Sequence, residues 1–471
     1  MSSSDALANA AATTAANRPL RAELIETIRL ALPIALTQLG QIGMVTTDLA
    51  LIGRLGDAAI AAASLAHTVF FAVFVLGMGA MSAVAPLVAQ AFGARDPRTI
   101  RRSFRVGLWL AVFMTIVLTP VLLQGEQILL ALGQSADSSR LAARYLEGLT
   151  WSLLPGWWFI AIRGFMGSVN RPEPALWITL VAIPANALLG YALIYGEFGF
   201  PKFDLLGAGL ATTIVDIGMC IAGFWIAQAR RPFRKFQPLG NVWRIDWPLM
   251  KKLVAVGAPI SGAFLLEYGL FMAAALLMGW IGTSELAAHQ IALQTAGVLF
   301  MVPYGVSMAA TVRVGQAVGR GDAGATRRAG FVAIAVSGVF MAFMTCIVIA
   351  SRFEIANLFL GSAADQRTRE LVGLLLVVGA TFFICDGLQT TAAGALRGLN
   401  DTRMPLLFAA VSFWVVGFTA SYGLAFPLAF GAVGIWIGFT ISLVLFAALL
   451  ILRFRSLTGR GYLPQMVRAE A

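Results

Sequence analysis

The stretch from Pro259 to Gln294, PISGAFLLEYGLFMAAALLMGWIGTSELAAHQIALQ, opens with an apolar run long enough to cross a bilayer, and inside that run lies one carboxylate, Glu267. At the centre of a membrane-spanning helix an acidic group costs about 2.5 to 3.5 kcal/mol, so it faces a partner or a water-filled cavity. The stretch therefore predicts a transmembrane helix together with a polar interior for that helix to face.

Outward from it, similar runs recur along the whole chain of 471 residues, which is 59% hydrophobic and 12% charged, with a mean hydropathy of +0.82. Spans are expected near 28–52, 60–92, 104–124, 142–166, 174–196 and 206–228. A second six follow near 251–280, 286–318, 330–350, 369–395, 405–425 and 432–453. The runs are about twice the length of a barrel strand and show no alternation, which excludes an outer-membrane barrel. The fold expected is an all-α polytopic membrane protein of twelve transmembrane helices.

A net charge of +11 would suit nucleic acid, but its distribution has a simpler cause. With these spans, 27 of the 34 Lys and Arg fall on one side and 7 on the other. That is the positive-inside bias; it predicts a multi-pass protein of the bacterial inner membrane with both termini cytoplasmic, and no nucleic-acid partner. Cys220, Cys346 and Cys385 all fall in apolar spans, where a thiol acts as a small hydrophobe, and no disulfide or metal-ligand spacing is present. Residues 1–20, rich in Ala, Ser and Thr, read as a disordered cytoplasmic tail. Residues 456–471 read as a second tail.

A shift of 226 positions superposes Pro33 and Ile34 on Pro259 and Ile260, Gly53 and Gly56 on Gly279 and Gly282, and Gly79 on Gly305. The register continues without a gap through Gln90, Gly93, Asp96, Arg101 and Arg102, which fall on Gln316, Gly319, Asp322, Arg327 and Arg328. Chance hydrophobic similarity does not keep polar loop residues in step. Six spans per copy give both copies the same orientation, so this is a parallel repeat: a lobe at 21–228, a linker at 229–250 and a lobe at 251–455, with the substrate path between them. The linker mixes Arg230, Arg231, Arg234 and Lys235 with Phe233, Phe236, Trp243 and Trp247, a composition suited either to the membrane interface or to a solvated connection.

Three acidic residues interrupt spans: Asp48, Glu267 and Asp386. Together they cost roughly 7 to 10 kcal/mol, comparable to the net stability of a domain, so all three being incidental is improbable. The repeat puts Glu267 on Gln41 and Asp48 on Ala274, so the copies diverge at polar positions while keeping their scaffold. Carboxylates in a low-dielectric cavity take up a proton or a cation, and the same charge can pair with a cationic substrate; competition of that kind gives antiport. Asn186, in mid-span, is positioned to bridge to Asp48. Asp216 ranks below the other three. His67 and His289 are too isolated for a metal site and read as satisfied residues at helix ends, and Pro155, Pro184 and Pro303 are candidate kinks. There is no GxxxxGK[ST] loop, HExxH or GxSxG, so no enzyme activity and no cofactor is expected.

At this point the chain resembles the multidrug and toxic compound extrusion (MATE) transporters, most closely their NorM-type branch. The resemblance rests on GMVTTDLALIGRLG at 43–56, APLVAQAFGARD at 85–96, ELAAHQIALQ at 285–294 and AAGALRGLND at 392–401, and it covers nearly all of the chain beyond the tail. It implies two six-helix lobes and a monomeric secondary antiporter that exports cationic amphiphilic drugs or dyes against sodium ions or protons by alternating access. It also implies that Glu267 and Asp386 bind the coupling ion, sodium if sodium-coupled, with Asp48 and Asn186 tuning a site in the first lobe. The chain departs from some relatives in having Gly190 in place of a second Asn, and Phe382 in place of a Tyr near Asp386. The rival reading is a lipid-linked precursor flippase, whose cavity would need several cations for phosphate, whereas only Arg163 and Arg397 lie near span interiors.

Overall fold

The computed structural model describes residues 3–360 and 366–464, the side chains of 3–19 excepted. No strand occurs among the described residues. The first half contains α1 (Ser3–Gly53), α2 (Asp57–Ser82), α3 (Val84–Gly93), α4 (Pro97–Leu123), α5 (Gly125–Ala131), α6 (Ala136–Leu149), α7 (Leu153–Ser168), α8 (Glu173–Tyr195) and α9 (Asp204–Ala229). The second contains α10 (Trp247–Ile281), α11 (Thr283–Gly319), α12 (Ala323–Ala350), α13 (Arg352–Leu360), α14 (Gln366–Val378), α15 (Ala380–Gly398), α16 (Arg403–Ala409), a π-helical segment (Ala410–Phe418), α17 (Thr419–Ala425) and α18 (Gly431–Gly459).

Among the described residues ten helical stretches are long and apolar enough to cross a membrane, and α14 with α15, bent by 47°, makes an eleventh. The span expected at 142–166 is instead split into α6 and α7 by a 3₁₀ turn at Thr150–Ser152. Pro155 supplies the reason. It has no N–H to offer the carbonyl of Trp151, and its ring crowds that carbonyl. Pro184 and Pro303 behave differently and sit inside the unbroken helices α8 and α11.

The repeat is visible in local structure. Asp96 caps α4 by accepting from the N–H groups of Arg98 and Thr99, and Asp322, 226 positions on, caps α12 by accepting from Ala325. Each cap contributes about 1 kcal/mol.

Contacts divide the chain into two compact units, at Ala35/Leu36 and at Leu265/Leu266. The first unit holds Leu36–Leu265; the second holds the described residues up to Ala35 together with those from Leu266 onward. The boundaries thus fall inside α1 and α10, not at the 229–250 linker as connectivity suggested. Close helix packing draws those half-helices in. In the first unit Gly79 of α2 lies against the backbone of Ser261, whose hydroxyl donates to Leu76 O at 2.6 Å. In the second, Gly305 of α11 lies against the backbone of Ala35. The shift of 226 carries one contact onto the other.

The tail expected to be disordered over 1–20 is helical from Ser3, in keeping with its alanine content, since Ala has the highest helix propensity. At the other end α18 runs to Gly459, and residues 465–471 of the expected second tail lie outside the described residues.

Candidate functional site

In the second unit, Glu267 on α10 meets Asp386 and Gln389 on α15. The Gln389 amide nitrogen donates to Glu267 Oε1 and to Asp386 Oδ1, both at 3.1 Å. Asp386 and Gln389 share a helix face because they are three residues apart. Asp386 is 6% exposed and Gln389 3%, so the bridge is shielded from bulk solvent. Buried Arg397, near the end of α15, is in electrostatic reach of Glu267 and Tyr304. One guanidinium is therefore a nearby fixed counter-charge for Glu267.

An aromatic wall continues from the pair. Phe271, one turn along α10, approaches Phe439 at 5.5 Å and Phe382 at 6.3 Å between ring centroids. Trp414, in the π-helical segment, donates its indole N–H to Leu266 O at 3.1 Å, next to Glu267. Irregular helical turns of this type recur at functional sites because they re-aim side chains. Phe382 itself is packed away from solvent among Phe383, Trp436 and Phe439, so the position offers no oxygen to the site.

His289 corrects an expectation. It is not a hydrogen-bonded residue at a helix end: it is fully buried in α11, its ring 5.8 Å from Trp436 and 6.2 Å from Phe439, and neither nitrogen has a hydrogen-bond partner among the described residues. Ring packing holds it. His67 is likewise not at a helix end; it is exposed in mid-α2, stacked on Phe71 at 5.9 Å.

In the first unit, Asp48 on α1 accepts from the Asn186 amide of α8 at 2.5 Å and from the Thr212 hydroxyl of α9 at 3.0 Å. Asp48 is 8% exposed and Asn186 is fully buried, with its Oδ1 unpartnered among the described residues. Asp216, one turn beyond Thr212, and Tyr145 lie within electrostatic reach of Asp48. At Gly190 a Cβ would stand 2.9 Å from Leu51 Cδ1, so the neighbour at that position is apolar.

A further polar contact in this unit joins Arg163 of α7 to Gln41 of α1 at 2.9 Å and also to Gln38. Gln41 and Arg163 are 122 residues apart, as are Glu267 and Gln389. The shift of 226 therefore carries the pair Gln41–Arg163 onto Glu267–Gln389. Where one unit sets an acid against an amide, the other sets an amide against a guanidinium.

The structure thus joins Glu267 with Asp386 in one unit and Asp48 with Asn186 in the other. Sequence reasoning missed Gln389, Thr212 and the Arg163–Gln41 contact. The available signals were helical spacing, Gln389 three residues after Asp386 and Thr212 four before Asp216, and for Arg163 its place opposite Gln389 in the repeat. Among the described residues no three His, Cys, Asp or Glu side chains converge as a metal site. What the second unit offers a cation is two carboxylates and one amide.

The MatE family profile matches twice, at residues 33–192 and 259–422, starting at two prolines that the repeat superposes. The chain is 58% identical over 439 residues to the "Probable multidrug resistance protein NorM" of Bradyrhizobium diazoefficiens, covering 93% of this chain and 94% of that one. It is 59% identical over 439 residues to the protein of the same name from Rhodopseudomonas palustris, covering 93% of each. Its fold matches the crystal structure of the eukaryotic MATE transporter AtDTX14, with a TM-score of 0.83 at 20% identity, over 94% of this chain and 98% of that one.

Proposed function

The chain belongs to the MatE family, a family of membrane transporters and not enzymes, and from that premise we propose that it is a secondary active multidrug exporter of the bacterial inner membrane, expelling cationic amphiphilic compounds in exchange for sodium ions or protons. The observation that carries this reading is the Gln389 amide shared by Glu267 and Asp386. Two carboxylates held this close in a low-dielectric interior repel each other unless a cation or a proton joins them. Sodium needs oxygen ligands, and rotation of the Gln389 amide by about 180° replaces its N–H donors with Oε1. A proton on either carboxylate would donate to the same oxygen.

A cationic substrate is drawn to the same negative charge, so the ion and the drug displace one another. Net export follows only if the ion binds one facing state more tightly than the other, because equal affinity shifts nothing. Phe271 and Trp414, beside Glu267, give a planar cation apolar contact and a π face without demanding one shape. The curated relatives' name, multidrug resistance protein, supports that substrate class. Asp48, Asn186 and Thr212 form a second polar site that tunes the first unit. The flippase alternative gains nothing from the geometry, since the contacts of the acidic pair among the described residues are to the Gln389 amide, with Arg397 in electrostatic reach of Glu267.

The test is efflux of a fluorescent cationic dye from proteoliposomes under a sodium gradient alone and a pH gradient alone. One gradient drives export by the wild type, and Asp386→Asn and Glu267→Gln reduce it to the level of empty vesicles while keeping a folded elution profile. Normal export by either variant would remove the carboxylate pair from the coupling step.

A further inference from the structure

The segment between the repeats is tied to the first turns of α4 by four contacts. Arg102 pairs with Asp246 at 2.5 Å, Arg105 donates to Asn241 O at 3.0 Å, Trp109 donates to Val242 O at 2.7 Å, and Arg101 donates to Gln237 Oε1 at 3.4 Å. The turn is shaped for this. Gln237 and Asn241 adopt left-handed backbone, and Gly240 lies so close to Arg101 that a Cβ there would stand 3.3 Å from its Cδ. Two tryptophans are left outside: Trp243 is 84% exposed and Trp247 58%.

The charges in this knot do not balance. Arg101, Arg102, Arg244 and Asp246 all lie within electrostatic reach of Arg105, so a cluster of four guanidinium groups holds one carboxylate, itself in reach of Arg102 and Arg105, and three positive charges are left over. Asp246 stays ionised: burial acts to raise its pKa, but the hydrogen bonds from Arg102 and the Leu249 N–H, with the charges of Arg102 and Arg105, outweigh that and hold it below its ordinary value. Arg105 is 7% exposed, and the Nε groups of Arg101 and Arg105 have no hydrogen-bond partner among the described residues. The protein alone does not compensate this arrangement. An anion does.

The location selects the anion. α4 and α10 are both membrane-crossing stretches and both begin here, at Pro97 and Trp247, so the cluster lies at a membrane boundary. Exposed tryptophans at such a boundary sit at headgroup depth. We propose that the Arg101–Arg102–Arg105–Arg244 cluster is a binding site for the phosphodiester headgroup of an anionic phospholipid, with Trp243 and Trp247 seated beside its glycerol and upper acyl chain. The bound lipid then completes the clamp between α4 and the linker.

The test is native mass spectrometry of the purified full chain titrated with phosphatidylglycerol or with phosphatidylcholine. The wild type retains one phosphatidylglycerol in preference to phosphatidylcholine. Arg244→Gln weakens that preference about five-fold and Arg101→Gln with Arg244→Gln about thirty-fold, from the worth of each arginine near an anionic surface. Because the Arg244 side chain is exposed and unpaired among the described residues, its single variant folds as the wild type does. Equal retention of phosphatidylglycerol by Arg244→Gln and wild type would overturn the proposal. Displacement of the lipid by inorganic phosphate at about the salt level of the buffer would overturn it too, by assigning the site to a free anion.

Discussion

The sharpest contrast between the two units is one of residues. At a shift of 226 positions Glu267 and Gln389 replace Gln41 and Arg163, and the two contacts occupy corresponding places. In the first unit a tethered cation already sits against the amide; in the second, the corresponding contact sets the Gln389 amide against two acids. Gln389→Arg would give the second unit the first unit's solution. We expect it to abolish ion-driven efflux while keeping Tm within about 3 °C of wild type, because a guanidinium beside two carboxylates is well paired. Gln41→Glu should leave efflux within about two-fold of wild type, since Arg163 already supplies the partner. Dye-efflux rates and thermal unfolding of both variants check this; ion-driven export by Gln389→Arg would show that the site does not work through its charge. Asp48, Asn186, Glu267 and Asp386 were all legible in the sequence because a charge or amide inside an apolar span is conspicuous. Gln389 and Thr212 were not, since Gln389 is followed by Thr390 and Thr391 and Thr212 by Thr213, so neither stands alone in an apolar run as Asn186 does.

At the scale of elements, helix approach is set by two glycines. A Cβ at position 79 would lie 2.5 Å from the Ser261 backbone and one at position 305 would lie 2.7 Å from that of Ala35. Backbone cannot yield as a flexible side chain does. Gly79→Ala and Gly305→Ala should therefore each destabilise by about 1–3 kcal/mol, as overpacked cores do. Gly218→Ala, in α9 with nothing within 4 Å, should instead stabilise by up to about 1 kcal/mol from helix propensity. Thermal unfolding of the three variants in one detergent tests the ranking, and a harmless Gly79→Ala would mean that the half-helices are not held by this contact. The repeat pointed to these glycines from sequence, as equivalent positions. Their purpose did not show, because the residues they meet lie far away along the chain.

For the molecule as a whole, the twelve crossings expected from the sequence, of which the described residues show ten unbroken stretches and one bent pair, would return the chain to the side where it began. Both termini should face the cytoplasm, so a fluorescent protein fused at the C-terminus should light up and an alkaline phosphatase fused there should stay inactive; an active phosphatase would reverse the assignment drawn from 27 against 7 basic residues. Class, repeat and the acidic candidates were determined by the sequence itself, because a bilayer imposes its thickness on every span and penalises every buried charge, and both constraints act residue by residue. The partition of α1 and α10, the split at Thr150–Ser152, the sharing of Gln389 by two acids and the arginine knot on the linker were decided only in the tertiary structure. Each depends on which distant residues come within a few ångströms of one another, and spacing along a chain does not contain that distance.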